Sequence, residues 1–225
     1  MNFTETLVND EAWKAYRHHE WIERLADGTL RQEQFVFFHE FDTSFSADMH
    51  RTLAVGISKA PAGCDWARAA TYILYDSFIA DKQKSKAELL ERIGAPRDVA
   101  IDRSRRGLSR DAYANHLLRV AWEHPIGVIA AALLPCAMFT NIIGERFADD
   151  PPASGPEIAA WARAYVNPRD MAITERHKEM MNSYADEAGR HGRAAMRHEF
   201  TRSVDYQIRV FDAALRTSDN FTGDD

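Results

Sequence analysis

The sequence predicts an all-α protein, and three observations support that fold class. Residues 126–143 are apolar nearly all the way round a helical wheel. Phe38 and Phe45 in one segment, and Phe200 and Val204 in another, belong to apolar stripes that recur at the spacing of an amphipathic helix. No segment shows the two-residue alternation that is typical of a half-buried strand.

Segment 126–143 is expected to be the buried central helix of a bundle. A helix without a polar face is either the centre of a helical protein or a membrane span. Thr140, Asn141 and an internal proline favour the buried helix over the span. Pro125 suits the first turn and Gly144 suits the exit, so the ends of the helix are marked on both sides.

Pro135 is expected to bend this central helix, and Cys136 follows it directly. Proline lacks the N–H of a helical hydrogen bond, and its ring clashes with the carbonyl of Ala131. A lone cysteine in an apolar helix is most often a small core residue. The bend, however, frees a carbonyl and opens local space, so a reactive thiol in a pocket is the alternative interpretation of Cys136.

The other helices follow from periodicity and from glycine and proline breaks. The Asp27-Gly28 turn and the Pro61-Ala62-Gly63 break end the first two predicted helical regions. One domain is expected over residues 1–225, with 217–225 as a frayed tail. We predict one or two short helices within 3–26, and further helices at 31–59, 65–93, 109–122, 156–166, 168–188 and 193–216.

The charge pattern argues against nucleic acid and membrane partners. The formal net charge is −6, which disfavours non-specific binding to DNA or to anionic lipid. The only basic cluster, Arg103, Arg105, Arg106 and Arg110, is expected to form a solvated connector.

Cysteine and histidine usage suggests a cytoplasmic protein without a metal cofactor. Cys64 and Cys136 lie in very different contexts, which favours reduced thiols over a disulfide. The N-terminal segment lacks the basic-then-apolar pattern of a signal peptide. The nine histidines form no HExxH or Glu-x-x-His spacing, so we expect no metal and no cofactor.

Two aspartates are candidate functional groups because they fall on or beside apolar stripes. Asp42 lies between Phe38 and Phe45, where a charge is costly unless it has a partner or faces a pocket. A Tyr or Arg of a neighbouring helix could also satisfy it. Asp205 lies on the shoulder of the last helix's inner face, where a pocket residue and a salt-bridged rim residue are equally compatible with the pattern.

At residues 133–144, LLPCAMFTNIIG, the chain resembles the TenA-type thiaminase II family, also called aminopyrimidine aminohydrolases. That family carries a Leu-Pro-Cys motif on its central helix, followed by Ile-Gly or Val-Gly. His19, the turn at 27–30 and the aromatic segment at 35–45 match further landmarks in order. Three aromatic residues complete the resemblance, which spans nearly the whole chain: Tyr113, Trp161 and Tyr165.

The resemblance implies a heme-oxygenase-like helical bundle and assigns roles by position. Cys136 would attack the pyrimidine ring, and Asp42 would hold the ring's amino group and the adjacent nitrogen. Asp205 would take the place of the family's catalytic acid. Tyr113 and Tyr165 would line or polarise the substrate pocket. A thiol needs activation to the thiolate, and aromatic walls suit a flat ring, so these roles are chemically coherent.

The chain departs from the family pattern around the substrate. The family's acid is usually Glu, whereas Asp205 is one methylene shorter. Phe45 stands where a tyrosine is usual, and Ile208-Arg209 replace an aromatic pair. Phe45 and Ile208 are nevertheless expected to contact the substrate. The departures affect the substrate more than the fold.

The resemblance leads us to expect a cysteine-dependent hydrolase of thiamin-related aminopyrimidines, active in thiamin degradation or salvage. One alternative is covalent catalysis on another nitrogen heterocycle, and another is a non-catalytic pyrimidine-binding or interaction protein. The family also implies a homo-oligomer, with a tetramer as the expected state.

Overall fold

The computed structural model describes residues 2–79, 88–94, 107–166 and 168–219. Within these ranges no β-strand occurs, so the predicted all-α class is confirmed. Residues 88–92 are helical as well. The helices are α1 (Phe3–Val8), α2 (Glu11–Arg17), α3 (Glu20–Asp27), α4 (Gln32–Lys59), α5 (Asp65–Ile79), α6 (Leu108–Glu123), α7 (Ile126–Arg146), α8 (Pro156–Arg163), α9 (Pro168–Glu187) and α10 (Gly189–Arg216).

Helix α7 is the buried centre of the bundle. It packs against α4, α6, α8, α9 and α10, and residues 126–135 are buried without interruption. By length and composition α7 could cross a membrane, but 72% of its apolar window is buried inside the protein, as in the core helix of a globular fold. The helix continues through Pro135. A bend at that residue stays a prediction.

Helix α9 lies close against the first half of α7. A Cβ added to Gly127 would fall 2.0 Å from a ring carbon of Tyr184 on α9, so only glycine permits this approach. Three residues further along α7, the carbonyl of Ala130 lies 2.7 Å from Nε2 of the buried His177, which donates a hydrogen bond to it. Ring packing and a side-chain hydrogen bond thus join the two helices.

Several predicted boundaries move in the structure. Residues 3–26 form three short helices, and the last helix begins at Gly189 and continues through Gly192, which was expected to precede it. The predicted helix 65–93 is described over 65–79 and 88–92, while its middle and the arginines before Gly107 lie outside the described residues.

The start of the predicted frayed tail is docked. The carboxylate of Asp219 accepts hydrogen bonds from the backbone N–H and the hydroxyl of Ser109, both at 2.8 Å, at the beginning of α6. Residues 220–225 lie outside the described residues.

Candidate active site

Cys136 lies half-buried on α7, and it interacts electrostatically with three tyrosines from other parts of the chain. The hydroxyl of Tyr16 on α2 donates to the carbonyl of Pro135 at 3.4 Å. Burial raises the pKa of Tyr16 and of Tyr113 well above 10.0, and the next contribution is the charge that Cys136 carries when it is ionised. In Tyr165 burial again raises the pKa most, followed by the charges of Asp42 and Cys136. We call Cys136, Asp42 and the three tyrosines the Cys136 cluster.

The raised pKa values determine what the tyrosines can do. Near neutral pH all three phenols keep their protons, so each can donate a hydrogen bond to a thiolate, a carboxylate or a substrate atom. None of them is poised to act as a strong base. The Cys136 cluster therefore combines one potential nucleophile with one carboxylate and three neutral donors. Cys136 packs against core residues. The open pocket expected beside it stays a prediction.

Asp42 has a charged partner in the protein interior. Nη2 of Arg110 on α6 lies 3.3 Å from Oδ1 of Asp42, and the Arg110 side chain is only 4% exposed. The guanidinium also lies over the rings of Phe38 and Phe45, 5.0 Å from each centroid. The alternative in which a neighbouring arginine satisfies Asp42 is thus the arrangement observed. The expectation of a solvated connector is wrong for Arg110, because α6 turns this side chain into the core.

Aromatic rings surround the Cys136 cluster. Phe45 stacks on Tyr113 with centroids 4.9 Å apart, in the position where the resemblance suggested a substrate contact. Phe139, one turn after Cys136, meets Tyr165 edge-to-face at 5.7 Å. Phe38 lies 5.9 Å from Phe139. Such rings offer flat apolar faces on which a heterocycle can stack.

The structure does not place Asp205 on the buried face of α10, where the role of catalytic acid implied by the resemblance would need it. Asp205 is exposed on α10 and lines an open surface groove beside Arg202 and Arg209. Each residue of a helix turns the side-chain direction by about 100° around the helix axis, so side chains two residues apart point to nearly opposite faces. The buried polar position on this part of α10 is Gln207, two residues after Asp205.

The inner face of α10 carries a polar stripe. Glu199, Ser203 and Gln207 recur every fourth residue, and all three are buried. Ser203 and Gln207 lie beside the hydroxyl of Tyr113 and oppose the rise of its pKa, although no described residue gives that hydroxyl a well-aligned hydrogen bond. The last helix thus brings an amide and a hydroxyl to Tyr113, whereas the resemblance implied an acid. Ile208 is half-buried against the core.

Sequence reasoning missed the inward positions of Tyr16, Arg110, Ser203 and Gln207. For the two α10 residues a signal was present, because polar residues repeat every fourth position within an apolar face. For Arg110 the neighbouring arginines concealed the signal. Among the described residues, no group of three or more His, Cys, Asp and Glu side chains could hold a metal ion.

Comparison with known proteins places this arrangement in a family. The model of the TENA/THI-4/PQQC family matches residues 9–217. The aminopyrimidine aminohydrolase of Bacillus subtilis is 24% identical over 220 residues, which cover 96% of this chain and 91% of that protein. The thiamine biosynthesis protein THI22 of Saccharomyces cerevisiae is 30% identical over 126 residues, or 56% of this chain. This chain spans only about a fifth of that yeast protein's length, because the match covers 22% of it.

A solved structure supports the fold independently. The TenA homologue from Pyrococcus horikoshii OT3 superposes with a TM-score of 0.81 at 22% identity, over 96% of this chain and 99% of that one. The family model covers nearly the whole chain, from α2 to α10, and includes the Pro-Cys element on α7. The chain therefore belongs to the TENA/THI-4/PQQC family.

Proposed function

We propose that this protein is a cysteine-dependent hydrolase of a thiamin-related aminopyrimidine. The observation that carries the proposal is that Cys136, half-buried on the central helix, and Asp42, paired with the buried Arg110, lie in a bundle lined by aromatic rings. Relatives named aminopyrimidine aminohydrolase support the same class of reaction. Such a substrate requires a nucleophile, a carboxylate to hold its amino group, and aromatic rings on which its flat ring can stack.

In the proposed reaction, Sγ of Cys136 adds to a ring carbon of the substrate and an S–C bond forms. The electron pair passes through the ring to the exocyclic C–N bond, which breaks. An amino group leaves with the proton given up by the thiol, as ammonia, whereas the thiazolium of thiamin leaves as a neutral thiazole without a proton. Water then adds its oxygen to the exocyclic carbon, the S–C bond breaks as the ring regains its aromaticity, and the thiol recovers a proton from that water. The net change is the hydrolysis of one C–N bond by one water molecule. Neutral donors such as Tyr113 stabilise the charge that develops on the ring.

Asp42 would hold the substrate's amino edge without losing Arg110. An ionised carboxylate has two oxygens with about four acceptor sites, so Oδ1 can face Arg110 while other sites accept from an aminopyrimidine. The Asp42 side chain is 27% exposed, which leaves part of it accessible. The ion pair with Arg110 in turn fixes the orientation of Asp42.

The test compares Cys136→Ser with Cys64→Ser on a free aminopyrimidine and on thiamin, with release of ammonia and of the pyrimidine alcohol as readouts. We expect at least about a hundredfold loss of kcat in Cys136→Ser, as is usual when a nucleophile is removed. Cys64 lies at the beginning of α5, and its replacement is expected to leave kcat unchanged. Equal turnover in both variants would refute the role of Cys136.

A second candidate substrate class is a nitrogen heterocycle that carries a carbonyl or carboxylate group. The observation that favours it is Arg110, whose Nε has no hydrogen-bond acceptor among the described residues although the side chain is buried. A buried donor of this kind suits an acceptor on the ligand. The same assays, run with such heterocycles, separate the two classes.

A further inference from the structure

A line of polar side chains leads from the Cys136 cluster toward the protein surface. Oγ of Ser203 lies 3.0 Å from Nε2 of His116 on α6. Nδ1 of His116 lies 3.6 Å from Oε2 of Glu199, one turn before Ser203 on α10. At the inner end, Ser203 lies beside the hydroxyl of Tyr113. Tyr113, Ser203, His116 and Glu199 form what we call the polar line.

The polar line is buried along its length, and its outer residue, Glu199, lies beside side chains that solvent reaches. The side chains of His116 and Glu199 are 1% and 6% exposed. Oε1 of Glu199 lies 3.8 Å from Nε2 of His124, and Oε2 lies 3.7 Å from Arg119, two side chains that are 28% and 42% exposed. Glu199 therefore connects a buried histidine to groups in contact with water.

The two atoms that face each other at the outer step of the line have no hydrogen-bond partner among the described residues. These atoms are Nδ1 of His116 and Oε2 of Glu199. Buried polar atoms seldom stay unpaired, so a small side-chain shift or one water molecule is expected to complete the 3.6 Å step. The backbone of Glu199 also lies near the ring of His116.

We propose that Glu199, His116 and Ser203 relay protons between solvent and the Tyr113 hydroxyl. The relay deepens the proposed hydrolysis and rests on it. It would supply the proton exchange that the resemblance assigned to an acid on the last helix, where the buried residue is Gln207 and Asp205 is exposed. Glu199, His116 and Ser203 do not touch the substrate in this scheme, and each acts through Tyr113.

Each transfer in the relay conserves protons. When Tyr113 gives its proton to the departing nitrogen, Ser203 returns one to Tyr113 and His116 returns one to Ser203. His116 regains its proton from the Glu199 side, which exchanges with solvent. A neutral imidazole suits this task because it has one donor and one acceptor nitrogen. Burial, and then the charges of Arg202 and Arg119, lower the pKa of His116 to about 4, so the ring is neutral at physiological pH.

The first test measures kcat, KM and the solvent deuterium isotope effect for Ser203→Ala and His116→Gln on the aminopyrimidine substrate. We expect kcat to fall at least about tenfold while KM stays within about twofold, because the binding groups remain in place. The isotope effect on kcat should rise as proton delivery becomes limiting. If Ser203→Ala fails to fold, His116→Gln provides the same comparison.

His177→Gln is the matched control. His177 is also buried and hydrogen-bonded through Nε2, but it lies on α9, contacts Ala130 on α7 and is not a member of the polar line. This variant should lose stability and keep kcat within about twofold of the wild type. The relay is overturned if Ser203→Ala keeps full kcat, or if its kcat falls with no rise in the isotope effect.

A second test needs no turnover and separates the relay from the proposed function. In Cys64→Ser protein, iodoacetamide alkylates Cys136 with loss of iodide and one proton. We expect the ¹⁵N signals of the His116 ring to shift on alkylation, and to stay unchanged when Ser203→Ala interrupts the line. The His177 signals serve as the internal reference. If the protein hydrolyses no pyrimidine, the proposed function is refuted. If the His116 signals do not shift on alkylation of Cys136, the relay is refuted, whatever the activity.

Discussion

Arg110 changes the charge that Asp42 presents to a ligand. A lone carboxylate among aromatic rings would attract any cation or donor, whereas the pair with Arg110 is close to neutral. The planar guanidinium lies over the rings of Phe38 and Phe45 and forms an ion pair with Asp42. A substrate at this position has to share Asp42 with Arg110.

We expect Asp42→Asn to raise KM about tenfold, the size of one lost charge-assisted hydrogen bond, with a smaller effect on kcat. The amide replaces one acceptor oxygen with a donor pair and leaves Arg110 buried without its counter-charge. Steady-state kinetics on the aminopyrimidine measure both constants. The matched control is Asp205→Asn, which should behave as wild type because Asp205 is exposed on the outer side of α10. Equal KM in the two variants would remove Asp42 from substrate binding.

At the level of elements, the contact between α7 and α9 depends on a neutral histidine. His177 is buried, and it donates to the main chain of α7 at Ala130. Burial lowers the pKa of His177 from 6.5 to about 4, although the hydrogen bond opposes the shift. Protonation of His177 therefore works against the packing of these two helices.

This shift predicts a loss of stability on acidification. Between pH 6.5 and about 4 the unfolded chain binds the His177 proton and the folded protein does not, so stability falls as the pH drops through this window and is fully present above it. At about pH 5 the cost should be about 2 kcal/mol relative to about pH 7.5. Urea unfolding at the two pH values measures it. In His177→Gln the pH-dependent loss should shrink by a similar amount, and an undiminished loss would contradict the assignment.

At the level of the whole molecule, large aromatic side chains remain exposed away from the Cys136 cluster. Tyr72 and Tyr75 on α5 are 57% and 55% exposed, and Trp122 at the end of α6 is 70% exposed. Exposed aromatic side chains are enriched at protein interfaces. They support the proposal that this chain forms a homo-oligomer, with a tetramer as the expected state.

Light scattering at micromolar concentration should therefore give a mass of about four times 25.6 kDa. Tyr72→Glu and Trp122→Glu should lower that mass if these side chains are covered by other copies, because a buried unpaired carboxylate is costly. A monomeric mass for the wild type would contradict the proposal. An unchanged mass in both variants would place the interface elsewhere.

Periodicity and helix breakers were sufficient to predict the helical class, the central helix α7 and the position of Asp42 on a buried stripe. These features depend on local sequence, because a helix has to bury its apolar face, whichever part of the protein packs against it. The same local information predicted Cys136 after Pro135 on that helix. It could not decide between a core thiol and a reactive one.

The partners of these residues depended on the tertiary structure. Arg110 pairs with Asp42 and His116 meets Glu199 and Ser203 only because α4, α6 and α10 pack together. The inward position of Gln207 and the outward position of Asp205 depend on how α10 is rotated about its axis, since a step of two residues turns a side chain to nearly the opposite face. That rotation is set by contacts between helices far apart in the chain, which no local pattern contains.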